Sequence, residues 1–266
     1  MKFIDPHIHM YSRTTDDYKN MALAGIKTVI EPSFWLGQQR TSHETLKDYW
    51  EYIISFEKTR AANFGIKHYC AISINPREAN NKIFADKSLL MIKDYLNRDS
   101  VVALGEIGFD LITKQEEDIL RQQLIIANEL KMPVIIHTPH INKLEGTKKT
   151  FDIIKDTQVD QSRIIVDHNN EDTIELSLSF DVMSGITVYP NTKLSPFRAV
   201  NIMKKYGTEK ILINSSADWG VSDPLSVPKT ALEMESNGFS SQEIQKVLFL
   251  NPDTFFKQSP NYKSDE

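Results

Sequence analysis

Along the chain, short runs rich in Val and Ile alternate with longer stretches in which apolar positions recur every three or four residues. The short runs at 2–8, 26–31, 67–74, 101–107, 133–138, 163–168, 181–188 and 210–216 read as strands. The longer stretches at 15–23, 43–63, 87–97, 114–131, 143–156, 171–178, 196–206 and 224–236 read as helices, with a further helical pattern at 241–257. Runs such as Val134-Ile135-Ile136 and Ile164-Ile165-Val166 are apolar at successive positions, as in parallel strands covered on both faces. Strand and helix in strict alternation predict an α/β chain: a single-domain (β/α)8 TIM barrel with a C-terminal helical extension. The barrel is expected over 1–258, with a polar C-terminal tail at 259–266.

Local signals agree at several joints. Thr113 followed by Glu116 forms a capping box at the start of one helix, and Pro133 ends that helix and opens the next strand. Gly25 and Gly207 stand where helix C-caps are needed. Cys70, the single cysteine, lies in an apolar strand and reads as a small buried hydrophobe.

Charge narrows the partners. With 31 basic and 36 acidic residues the net charge is −5, and no block of like charge appears, which argues against a broad nucleic-acid face. A small or short anionic substrate is favoured, nucleic acid is weakly supported, and oligomeric state is not legible. A carboxylate at Asp5 interrupts any secretory signal, and no apolar run approaches the roughly 18 residues of a membrane span. A cytoplasmic location without membrane attachment is expected.

Barrel enzymes place their chemistry at the C-terminal ends of the strands. Here those ends carry His7 and His9, Glu106, His137, His168 and Asp218. Two histidines two positions apart on a strand point to one face. Glu106, His137 and His168 follow one another at 31-residue intervals, about one βαβ unit, so the three recur at one height on successive strands. Buried ligand-type side chains converging at a barrel mouth need a common partner, and a cation is the simplest. Four neutral imidazoles and two carboxylates suit two divalent ions of zinc, manganese or magnesium type, with the mixed nitrogen and oxygen donors favouring zinc, manganese or iron over magnesium. Asp218 is the expected proton acceptor for an attacking water.

Other positions are candidates for support or substrate contact. Asp5 is expected to orient the histidine pair, and Glu31 stands at a strand end. Arg13, or Arg40 after the second strand, could grip an anion. His140 could touch substrate, and Phe34-Trp35-Leu36-Gly37 could wall the cavity. His43 and His68 read as surface residues.

With these residues in place the chain resembles the TatD-like branch of the metal-dependent amidohydrolase superfamily. The resemblance spans essentially the whole length and rests on Asp5-Pro6-His7-Ile8-His9, Gly105-Glu106-Ile107-Gly108-Phe109-Asp110, Pro133-Val134-Ile135-Ile136-His137 and Asn251-Pro252. It implies a TIM barrel with two divalent cations and hydrolysis of phosphodiesters, DNA included, by a metal-bound hydroxide. By the same resemblance His7, His9, Glu106 and Asp218 would hold one ion, and Glu106, His137 and His168 the other. Three loops depart from the family's nucleases: Asn75 stands where a histidine near the substrate phosphate is usual, Thr138-Pro139-His140 follow His137, and Asn169-Asn170-Glu171 follow His168. A small-molecule esterase, lactonase or amidohydrolase of a biosynthetic pathway therefore stands as an alternative, and a non-catalytic metal-binding accessory protein as another.

Overall fold

In the computed structural model, which describes residues 1–264, the eight expected strands form one parallel sheet in the order β1 to β8. The first half runs β1 (Phe3–Asp5), α1 (Thr15–Leu23), β2 (Ile26–Pro32), α2 (His43–Glu51), α3 (Lys58–Ala62), β3 (Lys67–Ile72), α4 (Pro76–Ala79), α5 (Lys82–Leu96) and β4 (Val101–Gly108). The second half runs α6 (Lys114–Glu129), β5 (Val134–His137), α7 (Lys143–Thr157), β6 (Ile164–Val166), α8 (Ile174–Leu178), β7 (Met183–Thr187), α9 (Pro196–Tyr206), β8 (Ile211–Asn214) and α10 (Ser226–Ser236). The C-terminal extension comprises α11 (Ser241–Gln245) and α12 (Asn251–Phe256). π-Helical stretches, Tyr52–Glu57 and Lys246–Leu250, lie inside the two patterns read as continuous helices at 43–63 and 241–257. The order makes an α/β TIM barrel, as the alternation of patterns predicts.

Helix starts follow their caps. Thr113 accepts from the backbone of Glu116 while the Glu116 carboxylate reaches back, the reciprocal box expected from sequence. Helix α5 begins five residues before the expected 87, because Asn81 caps the first turn by accepting from Phe84 N.

Strands β1, β6 and β8 are shorter than their apolar runs, so several candidate site residues stand just beyond the ladder. Pro6 supplies no N–H and ends β1 at Asp5. The extensions of β1 and β8 nevertheless close the seam: Ser216 N donates to His7 O at 2.7 Å and His9 N to Ala217 O at 2.9 Å.

Side chains alternate between two apolar layers. Ile135 and Ile165 pack in the barrel interior with Ile30, Ala71, Ala103 and Leu212, while Val134, Ile136, Ile164 and Val166 face the helices. The floor is closed by Phe255, Phe256 and Tyr262 from the extension. The segment expected as a polar tail thus contributes to the core as far as it is described: Tyr262 is buried, its hydroxyl donates to Asp253 Oδ1 at 3.0 Å, and Asn261 Nδ2 reaches Val101 O at 2.9 Å. Residues 265 and 266 of that tail lie outside the described residues. Among the described residues no helix is long and apolar enough to cross a membrane.

Candidate metal centre

At the C-terminal rim of the barrel, Glu106 Oε1 is the point on which three imidazoles converge. His137 Nδ1 lies 2.8 Å from it, His168 Nε2 3.0 Å and His7 Nε2 3.7 Å. His9 joins through His7, their Nε2 atoms 3.2 Å apart. His7, Glu106 and His168 each offer a donor atom within 4.8 Å of the other two. Donors held at about 2.0–2.1 Å around one tetrahedral zinc ion are roughly 3.3 Å from each other, so these spacings fit ligands of a shared cation. Burial drives His9 well below the ordinary imidazole pKa, helped by the neighbouring His7, and burial with Lys193 does the same to His168. Both rings are therefore the neutral, lone-pair form that ligates metal. Burial opposes ionisation of Glu106, but His137 and His7 outweigh it and hold the carboxyl well below its usual range.

Local backbone irregularities aim these side chains. The β4–β5 register slips between Gly105 and Ile107, so Ala103 faces the interior, Leu104 and Ile107 face the helices, and Glu106 is turned to the axis. Gly108, at φ 135°, is a close approach: a Cβ there would run into the His137 carbonyl. His137 follows Ile135 by two and shares its inward face. By the same parity Asp167, two beyond Ile165, faces inward, and His168 reaches the axis by adopting a left-handed φ of 61°.

Asp167 was not singled out from sequence, yet it organises the centre. Its Oδ2 lies 2.6 Å from His7 Nδ1, which leaves His7 Nε2 facing Glu106 and His9. Its Oδ1 accepts from His168 N at 2.7 Å, and Asn214 Nδ2 donates to both oxygens at 2.9 and 3.0 Å. Burial would raise this carboxyl, but His168 and His7 dominate and hold it well below its ordinary value. Gly185 leaves the space: a Cβ there would collide with the Asp167 carboxylate. The acidic residue directly before His168 was the available signal.

The remaining candidates divide. Asn75 donates from Nδ2 to Glu106 Oε2 at 3.1 Å and so touches the centre. Asp5 holds the backbone on both sides of the seam through His7 N and Ser215 N rather than the histidine rings, and burial pushes its carboxyl up to about 7. Glu31 accepts from Tyr11 N at 2.8 Å and pairs with His68 Nε2 at 2.7 Å, supporting the turn after His9 from below. His68 is thus buried, not a surface residue, because Glu31 needs a partner inside the barrel wall. Neither arginine offers an open fork: Arg13 pairs with Asp17 and donates to Asp218 O at 2.6 Å, and Arg40 is buried against Glu78 at 2.7 Å. His43 pairs with Glu44 at the start of α2.

Asp218 lines the cavity but is not brought into the convergent group. Its Oδ1 accepts from Tyr189 Oη at 2.8 Å and from Gly220 N at 2.7 Å. The cavity, about 250 Å³, is walled by Phe34, Trp35 and Trp219, with Glu106, His137, His168, Lys193 and Asp218 among its other lining residues and His140 at the rim. Phe34 stacks on the His9 ring at 3.9 Å, so the aromatic segment after β2 is a wall of the site.

Comparison with known proteins agrees over nearly the whole chain. The family profile described as TatD related DNase matches residues 4–257. A Methanocaldococcus jannaschii protein named as an uncharacterized metal-dependent hydrolase is 31% identical over 96% of this chain and 99% of its own. The crystal structure of a TatD-like protein from Archaeoglobus fulgidus superposes with a TM-score of 0.79 at 28% identity, covering 96% of this chain and 100% of that one. A phosphotriesterase homology protein from Escherichia coli, solved with phosphate in its active site, shares the fold at TM-score 0.71 and 14% identity, over 96% and 98% of the two chains. An Oε1 shared by three imidazoles at the mouth of such a barrel is thus set in a chain that belongs to the TatD family of metal-dependent hydrolases.

Proposed function

We propose that this protein hydrolyses a phosphoester with two divalent cations, one held by His7, His9 and Glu106 and the other by Glu106, His137 and His168. The convergence of His7, His137 and His168 on Glu106 Oε1 is the observation that supports this reading most directly. Bound cations would supply Lewis-acid activation of water and neutralise charge developing on the substrate oxygen. Asp218 Oδ1 is engaged by Tyr189 and Gly220, which leaves Oδ2 to take the proton of the attacking water. Arg13, through Asp218 O and Ser222 Oγ, fixes the loop that carries this carboxylate. Trp35, Phe34 and Trp219 exclude water from one side of the reacting centre.

The test is a panel of aryl phosphomonoesters, aryl phosphodiesters, lactones and amides with zinc- or manganese-loaded protein. Turnover of a phosphoester, lost by a factor of roughly 10² or more in Asp218→Asn with the cation retained, is the expected result. Full activity of that variant would overturn the role of Asp218. Turnover confined to lactones or amides would overturn the phosphoester assignment.

A further inference from the structure

Lys193 places an ammonium inside the cavity of the metal centre, and none of the groups that hold it is a carboxylate. The residue follows β7, and its Nζ lies 3.2 Å from His168 Nδ1 and 3.3 Å from Ser216 Oγ. Both partners are neutral; burial disfavours the ammonium, and the carboxylates that favour it, Glu106, Asp167 and Asp218, act through space rather than by a hydrogen bond to Nζ. Lys143, nearby, differs: three oxygens surround its Nζ, those of Thr138 O, Thr138 Oγ1 and His168 O.

The bond from Lys193 to His168 is moreover conditional on the state of the centre. Thr187 Oγ1 donates to Asp167 Oδ1 at 3.4 Å and therefore turns a lone pair towards His168 Nδ1, 2.6 Å away. When His168 uses Nε2 as a ligand, its one proton resides on Nδ1 and is donated to Thr187. Nδ1 then accepts nothing, and Lys193 keeps Ser216 Oγ and the face of the Tyr189 ring, 5.5 Å from its Nζ, neither of which carries a charge. Lys193 lines the cavity, and cations held by Glu106 would offset the charge that this carboxylate otherwise presents to it. Across the cavity Arg77 stands over the Trp35 ring at 4.5 Å, already paired with Asp110 at 3.2 Å, so Lys193 is the cation left to meet an incoming anion.

We propose that Lys193 is a specificity-determining residue that binds a non-reacting anionic oxygen of the substrate, phosphoryl or carboxylate, and so selects anionic over neutral substrates. The proposal rests on the metal-hydrolase reading given above, but its first test needs no turnover. Binding of inorganic phosphate, and separately of malonate, is measured by calorimetry on zinc-loaded wild type, Lys193→Met and Lys193→Arg, with zinc content determined for each. Phosphate or malonate affinity is expected to fall at least tenfold in Lys193→Met at equal zinc content, and to be restored within about threefold in Lys193→Arg. The ion that loses more identifies the oxyanion class.

In a second test kcat and KM are compared for an anionic aryl phosphodiester and an uncharged aryl ester. The expected result is a loss in kcat/KM at least tenfold greater for the anionic ester, carried mainly by KM. Unchanged anion affinity in Lys193→Met, or equal losses on both esters, would overturn the proposal. Should Lys193→Met fail to fold, Lys193→Gln gives the same comparison. Tight phosphate binding that depends on Lys193 in a protein that turns over no ester would overturn the phosphoester reading and leave the anion site standing.

Discussion

Replacing Asp167 by Asn retains the shape of the centre and reverses one hydrogen bond. Besides His7, three donors act on the carboxylate: His168 N and Thr187 Oγ1 reach Oδ1, and Asn214 Nδ2 reaches both oxygens. The asparagine must keep its oxygen at the Oδ1 position to accept from His168 N, so its NH2 falls where Oδ2 was, against His7 Nδ1. An amide donor there forces the His7 proton onto Nε2, the nitrogen that faces His9 at 3.2 Å and Glu106 at 3.7 Å. His7 then cannot ligate without a tautomer change that leaves its Nδ1–H opposed to an NH2 group. Losing an orienting partner of this kind typically weakens cation affinity by about 10–100-fold, equivalent to about 1.4–2.7 kcal/mol. The reversal places Asp167→Asn at the upper end. Zinc affinity is read by competition with a chromophoric chelator, and the His7 tautomer by long-range proton–nitrogen correlation of the metal-free protein. Affinity within threefold of wild type, or a His7 still protonated on Nδ1, would refute the reasoning.

Two further predictions concern stability. Burial pushes Glu78 up to about 7 despite the Arg40 partner, against an ordinary value of 4.5. Between those values the folded state binds more protons than the unfolded one, so stability contributed by Glu78 is full below pH 4.5 and is lost as pH rises towards 7, at up to about 1.4 kcal/mol per pH unit. Urea unfolding from pH 4.5 to 7.5 should show this slope in wild type and a flatter one in Glu78→Gln; parallel curves would contradict it. Tyr262→Ala removes a buried ring from the barrel floor together with its bond to Asp253, and should cost about 3–5 kcal/mol. A change below about 1 kcal/mol in the same assay would return the last residues to the status of a tail.

Much of the barrel could be read from the chain because each strand and helix announces itself locally, by apolar run, period, cap and proline. The convergence of Glu106, His137 and His168 was likewise visible through their 31-residue spacing. Its geometry was less so. Counting by twos from Leu104 directs Glu106 towards the helices, and only the register slip at Gly105, a property of the β4–β5 pairing, turns it inward. Partners remote in sequence were hidden for a similar reason: nothing near His7 names Asp167, 160 positions away, and nothing near Glu31 names His68 across the β2–β3 ladder. The two arginines read as possible anion grips are both engaged in holding loops, a distinction that rests on Asp17, Asp218 and Glu78 being in reach. Lys193 carries no local motif, and its position inside the cavity follows from how the segment after β7 folds over the rim.

The hydrogen bonds that join His7 to Ser216 and His9 to Ala217 tie the first and last strand extensions together at the very point where two of the imidazoles stand. The affinity of any cation held by these imidazoles would therefore be coupled to completion of the ring. During synthesis His7 and His9 emerge about 200 residues before Ser216 and Ala217, so they cannot be set rigidly until those late partners have arrived. On the proposed reading metal acquisition would be a late event of folding, and an ion captured there would act as a clasp on the whole circumference.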